Sequence, residues 1–116
     1  VEIGCTGIVV SNHGGRQLDG GRSSFDQLEE IVGAVGDQID VILDSGIQRG
    51  SHVLKALSLG AKAVGGGRFY LYALAAAGGQ GVERALQIMH EEIERDMRLM
   101  GVSSIQELSR DNLRFS

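Results

Sequence analysis

Apolar residues along the chain follow two rhythms. Gly7-Ile8-Val9-Val10 and Val41-Ile42-Leu43 are short unbroken runs rich in β-branched residues, and each predicts a buried strand. Ala63-Val64 predicts the start of a third. Between the runs, apolar residues recur every three or four positions. Phe25, Leu28, Ile31, Val32 and Val35 predict a helix. Its start is placed at Ser24-Phe-Asp-Gln27, where Ser24 and Gln27 have the spacing to satisfy free N–H groups reciprocally, and its stop at Gly36. Ser51 is the predicted cap of a second helix that turns Val53, Leu54 and Leu57 inward and ends at Gly60-Ala61. Arg68–Ala77 reads as a short helix. Val82, Leu86, Met89, Ile93, Met97 and Met100 form the stripe of a longer one, closed by Gly101. Ser104-Ile-Gln-Glu107 predicts a last short turn.

The order is strand–helix three times over. Connections this long, each carrying a helix, imply parallel strands with helices packed outside. Three parallel strands alone leave both sheet edges open. A closed (β/α)8 TIM barrel needs about 250 residues. The expectation is therefore that residues 1–116 form the C-terminal portion, about three βα units, of such a barrel, with an N-terminal remainder supplied separately. A start without Met, in what reads as a helix-to-strand connection, agrees with that expectation. An independent small α/β domain is the alternative.

Composition narrows the function classes. A hydrophobic fraction of 42% over 116 residues supports one modest core and excludes a disordered chain. A net charge of −4 without a basic cluster gives no footprint for nucleic acid. The single Cys5 excludes an internal disulfide framework and a multi-cysteine metal site, and reads as a small buried residue. No apolar stretch is long enough to span a bilayer. A cytoplasmic location is the expectation, with mitochondrion and peroxisome left open.

There is no proline, and the 18 glycines cluster as punctuation rather than as linker. In parallel α/β proteins, ligands sit at the carboxyl ends of the strands. Every predicted strand here ends in a polar, glycine-containing turn: Ser11-Asn12-His13-Gly14-Gly15-Arg16, then Asp44-Ser45-Gly46-Ile47-Gln48-Arg49-Gly50, then Gly65-Gly66-Gly67-Arg68. The second and third suit an anion, because Gly46 and Gly66-Gly67 let backbone N–H groups face it and Arg68 adds charge at a helix start. A crowded strand end without ligand is the plainer reading of Gly65–Gly67. The first turn suits reaction chemistry: a histidine removes protons near neutral pH and an arginine grips a carboxylate through two parallel hydrogen bonds. Taken singly, His13 reads as a structural histidine and Arg16 as a surface cation; their pairing at a strand end favours a site. Glu91/Arg95 and Glu94/Arg98 read as a solvated helix face, and His52 and His90 as surface residues.

The segments SNHGGRQLD, DSGIQRGSHVLKALSLGAKAV and GGGRFYLYAL resemble the FMN-dependent 2-hydroxy-acid dehydrogenase/oxidase family, over essentially all 116 residues. SNHGGRQ is the specific part; other phosphate-binding barrels share the rest. The resemblance implies a (β/α)8 barrel, FMN as cofactor, a homotetramer, and oxidation of a small L-2-hydroxy acid to the 2-oxo acid. It implies His13 as the catalytic base, Arg16 as holder of the substrate carboxylate, and Ser11 near the flavin. It also implies Asp44, Ser45, Gly46, Ile47 and Gln48 as the flavin-contacting segment and Gly67-Arg68 as the phosphate-binding pair. Gln48 stands where arginine is usual, Phe69 where proline often follows, and Gly66 where a bulkier apolar residue is common. The rivals are another phosphate-binding barrel, IMP-dehydrogenase-like or non-catalytic. SNHGGR is foreign to the first of these, whose catalytic cysteine loop is absent here.

Overall fold

A computed structural model describes residues 1–115. Three strands, β1 (Gly7–Val10), β2 (Asp40–Leu43) and β3 (Ala63–Val64), form one parallel sheet in the order β1-β2-β3. Three helices follow them in turn: α1 (Ser24–Val35), α2 (Gly50–Ser58) and α3 (Gly67–Met100). Two short 3-10 turns, Ile105–Glu107 and Arg110–Asn112, close the chain. The parallel order is the one the crossover lengths dictate.

Register sets the two faces of the sheet. Val9 lies beside Ile42, and Ile42 beside Ala63. Side chains alternate along a strand, so Ile8, Val10, Val41, Leu43 and Val64 share the opposite face. That face meets the helices: Val10, Val41, Leu43, Leu28, Val53 and Ala56 are buried together, with Met89 and Ile93 packed against them. The other face is bare, and Val9 is 62% exposed. Runs that read as fully buried strands are thus covered on one side only within these residues.

Local differences from the sequence reading have local causes. Ser23, not Ser24, caps α1: its extended backbone sets the hydroxyl to accept from Asp26 N. Ser24 is buried and accepts from Asn12 N at 3.0 Å, which ties α1 to the turn after β1. Helix α2 begins at Gly50 with no side-chain cap from Arg49, so Ser51 is inside the helix rather than at its cap. The acceptor for Gly50 N is Glu92 of α3 instead, at 2.7 Å. A Cβ on Gly50 would lie 2.6 Å from Glu92 Cβ and 2.7 Å from Ile93 N, so only glycine lets α3 come this close. Cys5 is exposed, because residues 1–6 have no element of this chain to pack against. Arg95 pairs with its neighbour Asp96 and Glu91 with Arg84, while Arg98 pairs with Glu94 as the spacing predicts.

The two-helix reading of residues 68–100 survives in modified form. The helical span extends from Gly67 to Met100, yet Ala77 (φ −150°, ψ 24°) and Gly78 (φ 60°, ψ −145°) leave helical geometry. The result is two arms joined by a sharp break. A Cβ on Gly81 would sit 2.1 Å from Ala73 O, so the break needs glycine there too. The first arm leaves Tyr70, Leu71, Tyr72 and Leu74 exposed, and Leu86 and Met100 at the rim of the second arm's stripe are also open. Among the described residues no helix is long and apolar enough to cross a membrane.

Candidate active site

The first residues beyond β1 and β2 inherit the strands' alternation. Ser11 and Asp44 therefore emerge on the bare side, and Ser11 Oγ donates to Asp44 Oδ2 at 2.6 Å. Residues His13–Gly15 form one 3-10 turn whose backbone is left-handed at His13 (φ 53°), Gly14 and Gly15. The Asn12 side chain accepts from Gly14 N at 3.0 Å, an Asx-type closure that fixes the turn locally. The turn brings Arg16 back over His13: Arg16 Nη1 lies 3.5 Å from His13 Nε2. Both side chains are exposed on the same side of the turn rather than packed inward.

The segment after β2 bends through two left-handed residues, Ser45 (φ 82°) and Gly46 (φ 80°). Ile47 then anchors it in the core, and Gln48 is exposed. Arg49 turns away from the site to Glu92, with Nε at 2.8 Å and Nη2 at 2.6 Å from Oε1. At the end of β3, Gly65 makes room for Asp44, since a Cβ there would lie 2.9 Å from Asp44 Oδ1. Gly66 precedes α3 with no side chain capping its first turn. Arg68, on that turn, reaches across to donate to Gly14 O at 3.3 Å. The first and third turns are thereby joined.

A cavity of about 220 Å³ lies among the three turns, lined by His13, Arg16, Asp44, Gln48, Gly67 and Arg68 together with Ser45, Gly46 and Ile47. Every predicted site residue lies on it except Ser11, which stands behind the Asp44 carboxylate. A second cavity, of about 390 Å³, shares Ser45, Gly46 and Arg68 and runs back to Phe25, His52 and Lys55.

The two helix starts near the site differ electrostatically. That of α2 is already neutralised: Glu92, buried at 7% exposure, accepts from its first N–H. The hydrogen bond from Arg49, then that from Gly50 N, hold the Glu92 carboxyl below the ordinary carboxylate range. Among the described residues, no acidic side chain stands in the first turn of α3 and none caps it. With Arg68 beside it, this helix start is the one suited to a bound anion.

Three contributors escape sequence reasoning. Asn12 has a signal, since Asn followed by glycine two residues later is a local turn pattern. His52, which reads as a surface residue, sits with Nδ1 3.1 Å from Gly46 O and 3.3 Å from Gln48 N, and braces the segment after β2 through whichever of the two bonds its tautomer makes. Its signal is its place four residues after Gln48, on the first turn of a helix that follows a strand end. Glu92 has no local signal, because its partner is 42 residues away.

Fold and site together define a parallel-strand α/β protein that gathers an imidazole, two guanidinium groups and an open helix start at its strand carboxyl ends. The chain belongs to the FMN-dependent dehydrogenase family, whose profile matches residues 1–115. It is 50% identical to an L-lactate dehydrogenase (cytochrome) of Saccharomyces cerevisiae, covering 99% of this chain and 20% of that protein. It is 53% identical to an L-lactate oxidase of Lysinibacillus sphaericus, covering 90% and 27%. Among solved structures, an arginine-to-lysine variant of flavocytochrome b2 superposes with a TM-score of 0.93 at 51% identity, covering 99% of this chain and 31% of that one. A soluble mutant of (S)-mandelate dehydrogenase from Pseudomonas putida gives 0.93 at 43%, covering 97% and 32%. The chain thus spans a fifth to a third of the length of these relatives.

FMN combines a phosphate, a polyhydroxyl chain and a redox ring, and the residues present fit it. Arg68 and the uncapped start of α3 suit the phosphate. Asp44 and Gln48, both on the cavity, offer acceptors and donors for hydroxyls and ring heteroatoms.

Proposed function

We propose that this chain is the C-terminal part, about three βα units, of a complete (β/α)8 barrel that oxidises a small L-2-hydroxy acid to the 2-oxo acid. Bound FMN supplies the acceptor for two electrons. Gly67 and Arg68 hold its phosphate, and the Asp44–Gln48 segment and Ser11 lie along the rest of it. Arg16 grips the substrate carboxylate with its planar fork. That grip sets the hydroxyl-bearing carbon beside His13, which takes one of the two protons that leave as the 2-oxo acid forms. The observation that carries this reading is the approach of Arg16 to within 3.5 Å of His13 on one side of the turn, beside an anion-ready helix start. The remaining groups of the site come from the rest of the barrel, and the assembly is a homotetramer in the cytoplasm.

The test is His13→Gln in the complete barrel. FMN stays bound, and anaerobic reduction by L-lactate slows by about 10²–10⁴-fold, the usual size of a general-base contribution. Reduction at the wild-type rate would remove His13 from the mechanism.

A further inference from the structure

Two non-glycine residues among those described have positive φ, His13 and Ser45. At φ 82° Ser45 holds a backbone that an L side chain rarely adopts, beside a glycine, Gly46, that holds the same one without strain. Such strain persists only where the surroundings enforce it. The Ser45 hydroxyl supplies the reason. It accepts from Gly14 N at 3.2 Å and donates to Asp44 Oδ2 at 3.2 Å. Ser11 repeats the pattern one residue earlier: its hydroxyl accepts from His13 N at 3.0 Å and donates to Asp44 Oδ2 at 2.6 Å. The two oxygens are 3.2 Å apart, and with both protons committed to Asp44 neither needs the other. Two consecutive amides of the His13 turn are thus each received by a serine, and both serines hang from one carboxylate oxygen.

We infer that Ser45 is a positioning residue: its hydroxyl latches the His13–Arg16 turn to the strand end at Asp44 and so sets where the imidazole and guanidinium stand. This rests on the proposed function for its catalytic consequence, though not for the latch itself. The role differs from a cofactor contact, because both hydrogen bonds of the hydroxyl point within the protein. Gly14 carries a second acceptor, Asn12 Oδ1, but that bond lies within the turn and cannot fix the turn against β2.

Ser45→Gly separates positioning from bulk stability, since glycine relieves the left-handed backbone while deleting the latch. In the complete barrel, assayed with FMN in excess, this variant melts no lower than wild type. Its KM for L-lactate and its dissociation constant for pyruvate, read from flavin absorbance, rise about 5–10-fold, the scale of one lost hydrogen bond. Ser45→Ala keeps the strain, loses the latch, shows the same KM and pyruvate changes, and melts lower. Amide hydrogen exchange in a peptide spanning residues 10–19 speeds up about 5–10-fold at the turn in both variants. Unchanged exchange and pyruvate affinity in Ser45→Gly overturn the latch. So does a lower melting point in Ser45→Gly, which is the mark of a purely structural role. A wild-type barrel that exchanges slowly at the turn but neither binds FMN nor oxidises a 2-hydroxy acid leaves the latch standing and refutes the proposed function.

Discussion

Glu92 is the residue whose removal has the most calculable effect. It sits on the second arm of α3, is 7% exposed, and receives both the buried first N–H of α2 and the Arg49 guanidinium. Glu92→Ala leaves Gly50 N without its acceptor, worth about 1–3 kcal/mol for a buried unsatisfied donor. It also removes the negative charge at a helix start, worth about 0.3–1 kcal/mol. Arg49 is largely exposed and adds little. The sum is about 1–4 kcal/mol for Glu92→Ala at neutral pH, and roughly 1–2 kcal/mol for Glu92→Gln, which keeps an acceptor oxygen. The sign of the pH dependence follows from the lowered folded-state pKa. The ionised carboxyl contributes in full above the unfolded value of 4.5, and that contribution is lost as pH falls through the folded value. Denaturant unfolding of the complete barrel at pH 7 and at successively lower pH reads both effects. The gap between wild type and Glu92→Gln narrows as pH falls below about 4.5. A loss under 1 kcal/mol for Glu92→Ala, or a gap that stays constant down to pH 3, would refute the reasoning.

Two further outcomes follow from the same contacts. Gly50→Ala forces a methyl against Glu92 Cβ and Ile93 N, and costs roughly 2–3 kcal/mol by denaturant unfolding, towards the upper end for overpacking because one obstacle is backbone. Arg68→Met, which removes the cation at the uncapped start of α3, weakens FMN binding about 10–100-fold by flavin-fluorescence titration, the scale of a charge-assisted hydrogen bond, and leaves folding within about 0.5 kcal/mol.

What could be read in advance follows the range of the forces involved. β1 and β2 were legible because short β-branched runs between glycines have few other uses, and the parallel order because each crossover carries a helix. The sites after the strands were legible because turn chemistry is local: His13, Arg16, Gln48 and Arg68 do meet at one cavity. Contacts between distant segments were not legible. Ser51 has the spacing of a helix cap, and nothing within ten residues says that Glu92 already receives the first N–H. Ser23 and Ser24 are equally good caps by composition, and the choice falls to Ser23 because Ser24 is drawn to Asn12 N. Cys5 reads as a core residue by type and is exposed, because among the described residues no helix or strand covers residues 1–6. The left-handed backbone at Ser45 has no signature, since serine does not ask for one.

The break at Ala77 and Gly78 has an electrostatic consequence. Peptide dipoles add only where they are aligned, so the end of α3 that borders the cavity belongs to the stretch before the break rather than to the full 34 residues. Little is forfeited, since the field of a helix end is made mostly by its first turn. What the interruption provides is independence: the leading stretch, with Gly67 and Arg68 on the cavity, takes its own direction while the trailing stretch stays docked on α2.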